Sequence, residues 1–150
     1  MRIFVDADAC PVKPEAVRVA QRYGIELTFV SNSWMRLPED WAAKLMVVDG
    51  QFDAADNWIV EQVQKDDIVV TADIPLAHRC IKAGARVIGT HGQLFTDVNI
   101  GSILATRDLL HTLRGAGEIT GGPAPFRNED RSRFLQGLDQ VIQSIKQNKP

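Results

Sequence analysis

Five short apolar runs alternate with helically spaced segments along the first two thirds of the chain. That alternation constrains the fold more than any other feature. Arg2–Val5, Ile25–Val30, Lys44–Val48, Asp67–Thr71 and Ala85–Ile88 have strand length and are rich in β-branched residues. Between the first two, Pro14–Tyr23 sets Ala16, Val17, Ala20 and Tyr23 at helical spacing, with Pro14 in the first turn and Gly24 just past the end. A second helix, Asp53–Gln64, carries Ala55, Ile59 and Val63 on one stripe, and a third, Pro75–Ala83, closes at Gly84. Strands separated by helices read as βαβ units. The expected fold class is therefore α/β, a mostly parallel five-stranded sheet covered by helices on both faces.

The rest of the chain reads as C-terminal helices. Asn99–Leu113 has a stripe of Ile103, Leu104, Leu110 and Leu113, and Gly115–Pro125 is a turn-rich loop. Asn128–Gln147 then repeats Phe134, Leu135, Leu138, Val141, Ile142 and Ile145 on one face, which the sheet or another subunit must cover. The 150 residues suffice for one core and are few for two, so a single domain is expected. The net charge of −2 offers no global attraction to nucleic acid or to an anionic membrane. A polyanionic partner would need a local patch or a metal ion. Cys10 and Cys80 lack metal-ligand or C-x-x-C spacing, and the Asp pair interrupts the first apolar run too early for a signal peptide. A cytoplasmic protein without a membrane partner is expected.

Acidic residues fall at the ends of these strands. Asp6 and Asp8 end strand one, Asp49 strand three and Asp73 strand four, while the helix after strand three opens with Asp53-Ala-Ala-Asp56. Parallel strands bring their carboxyl ends to one edge, where α/β sheets hold ligands. Singly, Asp49, Asp53 and Asp73 read first as capping or turn residues. A cap fits Asp6 poorly, so close to the end of a buried strand. Two carboxylates about 4 Å apart repel by roughly 4 kcal/mol at an effective dielectric near 20. A cluster of them needs protons, distance or a cation, and oxygen ligands alone suit Mg²⁺ or Mn²⁺ better than Zn²⁺.

Several motifs carry a family resemblance. Val5-Asp-Ala-Asp-Ala-Cys-Pro11, Gly50–Asp56, Val69–Ala77, Arg114–Gly117, Gly121–Pro123 and Asp130–Phe134 together resemble the YaiI/YqxD family of bacterial proteins over nearly the whole chain. The resemblance implies a fold similar to PIN-like nuclease domains, whose acidic residues hold Mg²⁺ or Mn²⁺ to cleave phosphodiesters in RNA or DNA. On that resemblance Asp6 is the acid ending strand one, Asp73 the later strand-end acid, and Asp56 or Asp53 the helix-borne one. Asp8 is additional to the nuclease pattern. The expected catalytic set is Asp6, Asp8, Asp56 and Asp73, with Asp6, Asp53, Asp56 and Asp73 as metal ligands.

Arg127, Arg131 and Arg133 follow the glycine-rich loop at a helix start, an arrangement suited to a phosphate, and Arg107 and Arg114 would extend the patch. Arg114, Arg127 and Arg131 are the expected phosphate-binding residues, against the plainer reading of a loop anchor with Arg131 paired to an acid. Cys10, His91 and the tryptophans Trp34, Trp41 and Trp58 read as packing residues before they read as a nucleophile, a site histidine or base-stacking rings. Two other functions fit the motifs. Ile3-Phe-Val-Asp-Ala-Asp8 resembles the opening of haloacid-dehalogenase-type phosphatases, with Asp6 as nucleophile and Asp8 as acid/base, although Gly89-Thr-His-Gly92 lacks their acidic pair. Clustered acids also suit a binding module without turnover.

Overall fold

The computed structural model describes residues 1–8, 10–49, 53–115 and 126–147, without the side chains of 107, 108 and 110–115. The 116–125 part of the expected loop and the last three residues lie outside that description. Six strands form one sheet in the order β3-β2-β1-β4-β5-β6. They are β1 (Arg2–Asp6), β2 (Glu26–Ser31), β3 (Lys44–Val47), β4 (Ile68–Val70), β5 (Arg86–Ile88) and β6 (Leu94–Phe95). The helices are α1 (Lys13–Tyr23), α2 (Ala54–Gln62), α3 (Ile74–Lys82), α4 (Ile100–Gly115) and α5 (Asn128–Gln147).

The first five strands are parallel, and β1 sits between β2 and β4, with Val5 opposite both Phe29 and Val70. The five-strand expectation needs one correction. β6 pairs antiparallel with β5, with Ile88 opposite Leu94 and Val87 opposite Phe95. Its two residues are too few to show a period, and Gly89-Thr-His-Gly92 is the turn that folds them back. Gly92 donates its amide to the Gly89 carbonyl at 3.0 Å, and Gly89 donates to the Gln93 carbonyl at 2.8 Å. Gly92 has φ +86°, and a Cβ there would lie 2.5 Å from the Arg133 carbonyl oxygen.

Strand alternation divides the core into two layers. Ile3, Val5, Leu27, Phe29, Ile68, Val70 and Ile88 face α1 and α5. Phe4, Val30, Val69 and Val87 face α2, α3 and the start of α4. The amphipathic last helix is covered by its own chain: Phe134, Leu138 and Ile142 are each 0 % exposed, within the α1 layer. The tie between α5 and α1 is also polar. Arg131 donates to the Pro11 carbonyl at 2.6 Å and to Glu15 at 3.1 Å, and Asp139 accepts from Arg22 and Tyr23. Local signals set the helix ends as read. Gly24 closes α1 at φ 64°, a left-handed conformation that glycine adopts freely, and Pro75 lies in the first turn of α3.

Because β1, β2, β4 and β5 are parallel, their carboxyl ends share one edge. The chain runs outward from β1 to β2 and β3, then crosses through α2 to β4 on the other side of β1. The gap beyond β1 and β4 is thus the point where the winding reverses, the customary ligand crevice of such sheets.

Candidate functional site

A cleft of about 340 Å³ lies at this edge, lined by Asp6, Asp8, Asn32, Ala72, Asp73, Thr90 and Asp56. The lining is assembled strand by strand. Asp6 is the last residue of β1, and the ladder holds one residue more, with the Ala7 amide donating to Val30. Asn32 directly follows β2, Ala72 and Asp73 follow β4, and Thr90 follows β5. Asp56 comes from the first turn of α2. No arginine or lysine is among the described residues that line it.

Each acid is held differently. Asp6 accepts the Thr71 hydroxyl on Oδ2 at 2.9 Å, and the same hydroxyl oxygen accepts the Asp73 amide at 3.0 Å. Thr71 therefore ties the two strand ends together. Asp73 caps α3, its Oδ1 accepting the Leu76 amide at 3.1 Å. The plain capping reading of Asp73 is correct for that oxygen, and the same side chain lines the cleft. Asp8 is engaged on both oxygens, by the Ser31 hydroxyl at 2.8 Å and the Asn32 amide at 3.0 Å. Asn32 in turn accepts the Ala55 amide on its side-chain oxygen at 3.3 Å, linking the β2 end to the start of α2.

The electrostatics follow from burial and from the carboxylates that face one another. Burial pushes the Asp6 carboxyl up from 3.8 to about 6; the Thr71 hydrogen bond pulls it down, while Asp56, Asp73 and Asp8 push it up. Asp56 is also raised, first by burial and then by Asp73, with the Arg79 guanidinium acting against both. These carboxylates bear on one another through the cleft even though Asp6 and Asp73 are 67 positions apart.

Other expected site residues fall elsewhere. Asp53 precedes α2, is exposed, and does not line the cleft; Asp49 is likewise exposed and outside it. Arg127, Arg131 and Arg133 gather at the start of α5, outside the lining. Arg131 is committed to Pro11 and Glu15, Arg133 approaches Asp130 at 3.4 Å, and Asp130 accepts the Arg127 amide at 2.9 Å, half of a capping box. The Arg114 side chain lies outside the described residues. His91 packs edge-on against Phe126 at 5.1 Å. Cys10 and Cys80 are buried, and burial raises both thiols, Cys80 to about 12, so neither is a ready thiolate.

Sequence reasoning missed Asn32, Thr71 and Thr90. The signal was available, since each sits at a strand's carboxyl end as the acids do, but their amide and hydroxyl groups carry no charge to draw notice. The donors are oxygen-rich and hard, which suits Mg²⁺ or Mn²⁺. Among the described residues no three His, Cys, Asp or Glu side chains stand close enough to hold an ion directly between them. Mg²⁺ sheds its waters reluctantly and is commonly held through one or two carboxylates and water, so a widely spaced set is compatible with it.

The profile described as "Uncharacterized BCR, YaiI/YqxD family" matches residues 4–144. The chain belongs to the YaiI/YqxD family. Its relatives in that family include UPF0178 proteins of Nitrobacter winogradskyi, 50% identical over 146 residues covering 97% of this chain and 93% of the relative. The protein of Azorhizobium caulinodans is 51% identical over 96% of this chain and 91% of its own. That of Rhodospirillum rubrum is 48% identical over 99% of this chain and all of its own. No solved structure matches this YaiI/YqxD chain significantly. Among its described residues, no helix is long and apolar enough to cross a membrane.

Proposed function

We propose that the chain is a divalent-cation-dependent phosphodiester hydrolase of PIN-nuclease type, acting on RNA or DNA at the acidic cleft. The observation that carries this reading is the convergence of Asp6, Asp8, Asp56 and Asp73, from β1, α2 and the β4 end, on one cleft with no cation among its described lining residues. A carboxylate set of this kind costs the fold stability unless a ligand repays it, which is a mark of a functional site.

Asp6, Asp56 and Asp73 are the residues that would hold Mg²⁺ or Mn²⁺. The ion would supply charge neutralisation and an acidified water for in-line attack on phosphorus. The chain's own contribution is positioning. Thr71 fixes one oxygen of Asp6 and leaves the other, Oδ1, without a described partner. The α3 cap fixes Asp73 in the same one-sided way. Asp8, bound on both oxygens, stiffens the β1 and β2 ends, a supporting role. That engagement also weakens the phosphatase alternative, which needs Asp8 free to exchange a proton with a leaving group.

Incubation of end-labelled RNA and DNA oligonucleotides with Mn²⁺ tests the proposal. Cleavage is expected in Mn²⁺ or Mg²⁺, absent with EDTA, and reduced at least about a hundredfold in Asp73→Asn. No cleavage of any strand by the wild type, or cleavage indifferent to EDTA, sinks it. A beryllofluoride adduct on Asp6 would favour the phosphatase instead.

A further inference from the structure

The loop that leaves the cleft presents a large aromatic ring to solvent. Trp34 is 73 % exposed, two residues past the cleft-lining Asn32. The other two tryptophans are placed differently: Trp41 packs on Phe29 at 5.7 Å between ring centres, and Trp58 meets Phe4 edge-on at 5.9 Å. The loop around Trp34 is fastened at both ends. Asn32 and Ser33 donate their amides to Asp8 and to the Ser31 hydroxyl, and Met35 and Leu37 pack against the α1-side core. Between and beside these anchors, Trp34 and Arg36 face outward and are exposed. Inward and outward residues therefore alternate from Trp34 to Leu37. The indole is displayed by a secured segment.

We propose that Trp34 is a base-stacking platform that makes the acidic cleft selective for single-stranded nucleic acid over small phosphate esters and over duplexes. The proposal rests on the hydrolase reading above and assigns that site its substrate form. Two residues of chain span at most about 7 Å, which keeps the Trp34 backbone within about one nucleotide step of the cleft-lining Asn32, the separation at which a base next to a cleft-bound phosphate would meet the ring. Stacking of this kind is tolerant of base identity and needs an unpaired base, which a duplex does not offer. Arg36, two residues on, is exposed beside Trp34 in the sequence and available to a phosphate of the same strand. It supplies a local positive charge that the chain's net charge of −2 does not.

The test compares kcat/KM on a single-stranded oligonucleotide, on its duplex and on bis(p-nitrophenyl) phosphate, for wild type, Trp34→Ala and Trp34→Phe, in Mn²⁺. Trp34→Ala is expected to lower the ratio of oligonucleotide to small-diester kcat/KM by roughly five- to a hundredfold, mainly through KM, and Trp34→Phe to restore most of it. Parallel RNA and DNA arms show which strand is preferred. Arg36→Gln should lower the slope of log affinity against log salt by about 0.7 for a single strand. An unchanged ratio in Trp34→Ala overturns the platform and leaves the hydrolase reading standing. So does an equal loss on both substrates, or a wild type that takes duplex as readily as single strand. If the wild type cleaves no strand, the hydrolase reading falls and takes the platform with it.

Discussion

Asp6 is the residue on which the site turns, and its position is an electrostatic compromise. Its folded pKa of about 6 lies above the ordinary 3.8 because burial and three neighbouring acids oppose ionisation. The fold is therefore favoured while Asp6 is neutral in both states, below 3.8, and loses that advantage as pH rises through about 6. The full penalty near neutral pH is about 3 kcal/mol at most. Asp6→Asn keeps an acceptor for the Thr71 hydroxyl and removes the charge. It is expected to stabilise the cation-free protein against urea by about 1–2 kcal/mol near pH 7.5 and by almost nothing near pH 4. Equal effects at both pH values would contradict the assignment. Thr71→Val removes the one hydrogen bond that pulls the Asp6 pKa down, so the carboxyl should titrate higher still in an NMR pH series. An unmoved titration would mean that Thr71 does not govern Asp6. Asp6 was legible in the sequence because a strand-end acid has few structural excuses. Thr71 and Asn32 were not, because their importance lies in which acid each one touches.

At the scale of elements, apolar periodicity located five strands and five helices to within a residue or two at most ends. It failed at β6, whose two residues are defined by the hairpin turn and by β5. It also left open what covers α5, since an amphipathic face states a need without naming the partner. That partner is α1 together with the sheet, with Phe134 at 0 % exposure between them. Phe134→Ala should cost about 3–5 kcal/mol in urea unfolding, as a large cavity in a well-packed layer does. Gly92→Ala should cost more than about 2 kcal/mol, because its positive φ and the nearby Arg133 carbonyl leave a methyl nowhere to go. A loss under 1 kcal/mol in either would show that α5 docks more loosely than described. Arg131, weighed for a phosphate against the plainer reading of an anchor paired to an acid, ties α5 to Pro11 and Glu15, as the plainer reading has it. Arg131→Gln is accordingly expected to lower Tm.

Across the whole molecule, alternating strands and helices foretold a parallel sheet but not the order of its strands. That order places β4 beside β1 and so sets Asp73 near Asp6; a chain with the same runs wound otherwise would have scattered its acids. Parallelism explains why strand-end residues share an edge. The reversal of winding between β1 and β4 explains why part of that edge is a cleft. Asp49 and Asp53, which also follow a strand in sequence, fall outside it. The proposed hydrolase requires the acids remaining there to act together on one cation. Calorimetric titration with Mn²⁺ near pH 7.5, for wild type and Asp6→Asn, decides this: the wild type should bind saturably and Asp6→Asn at least about tenfold more weakly. Equal affinity in the two proteins, or no binding by the wild type, would contradict it.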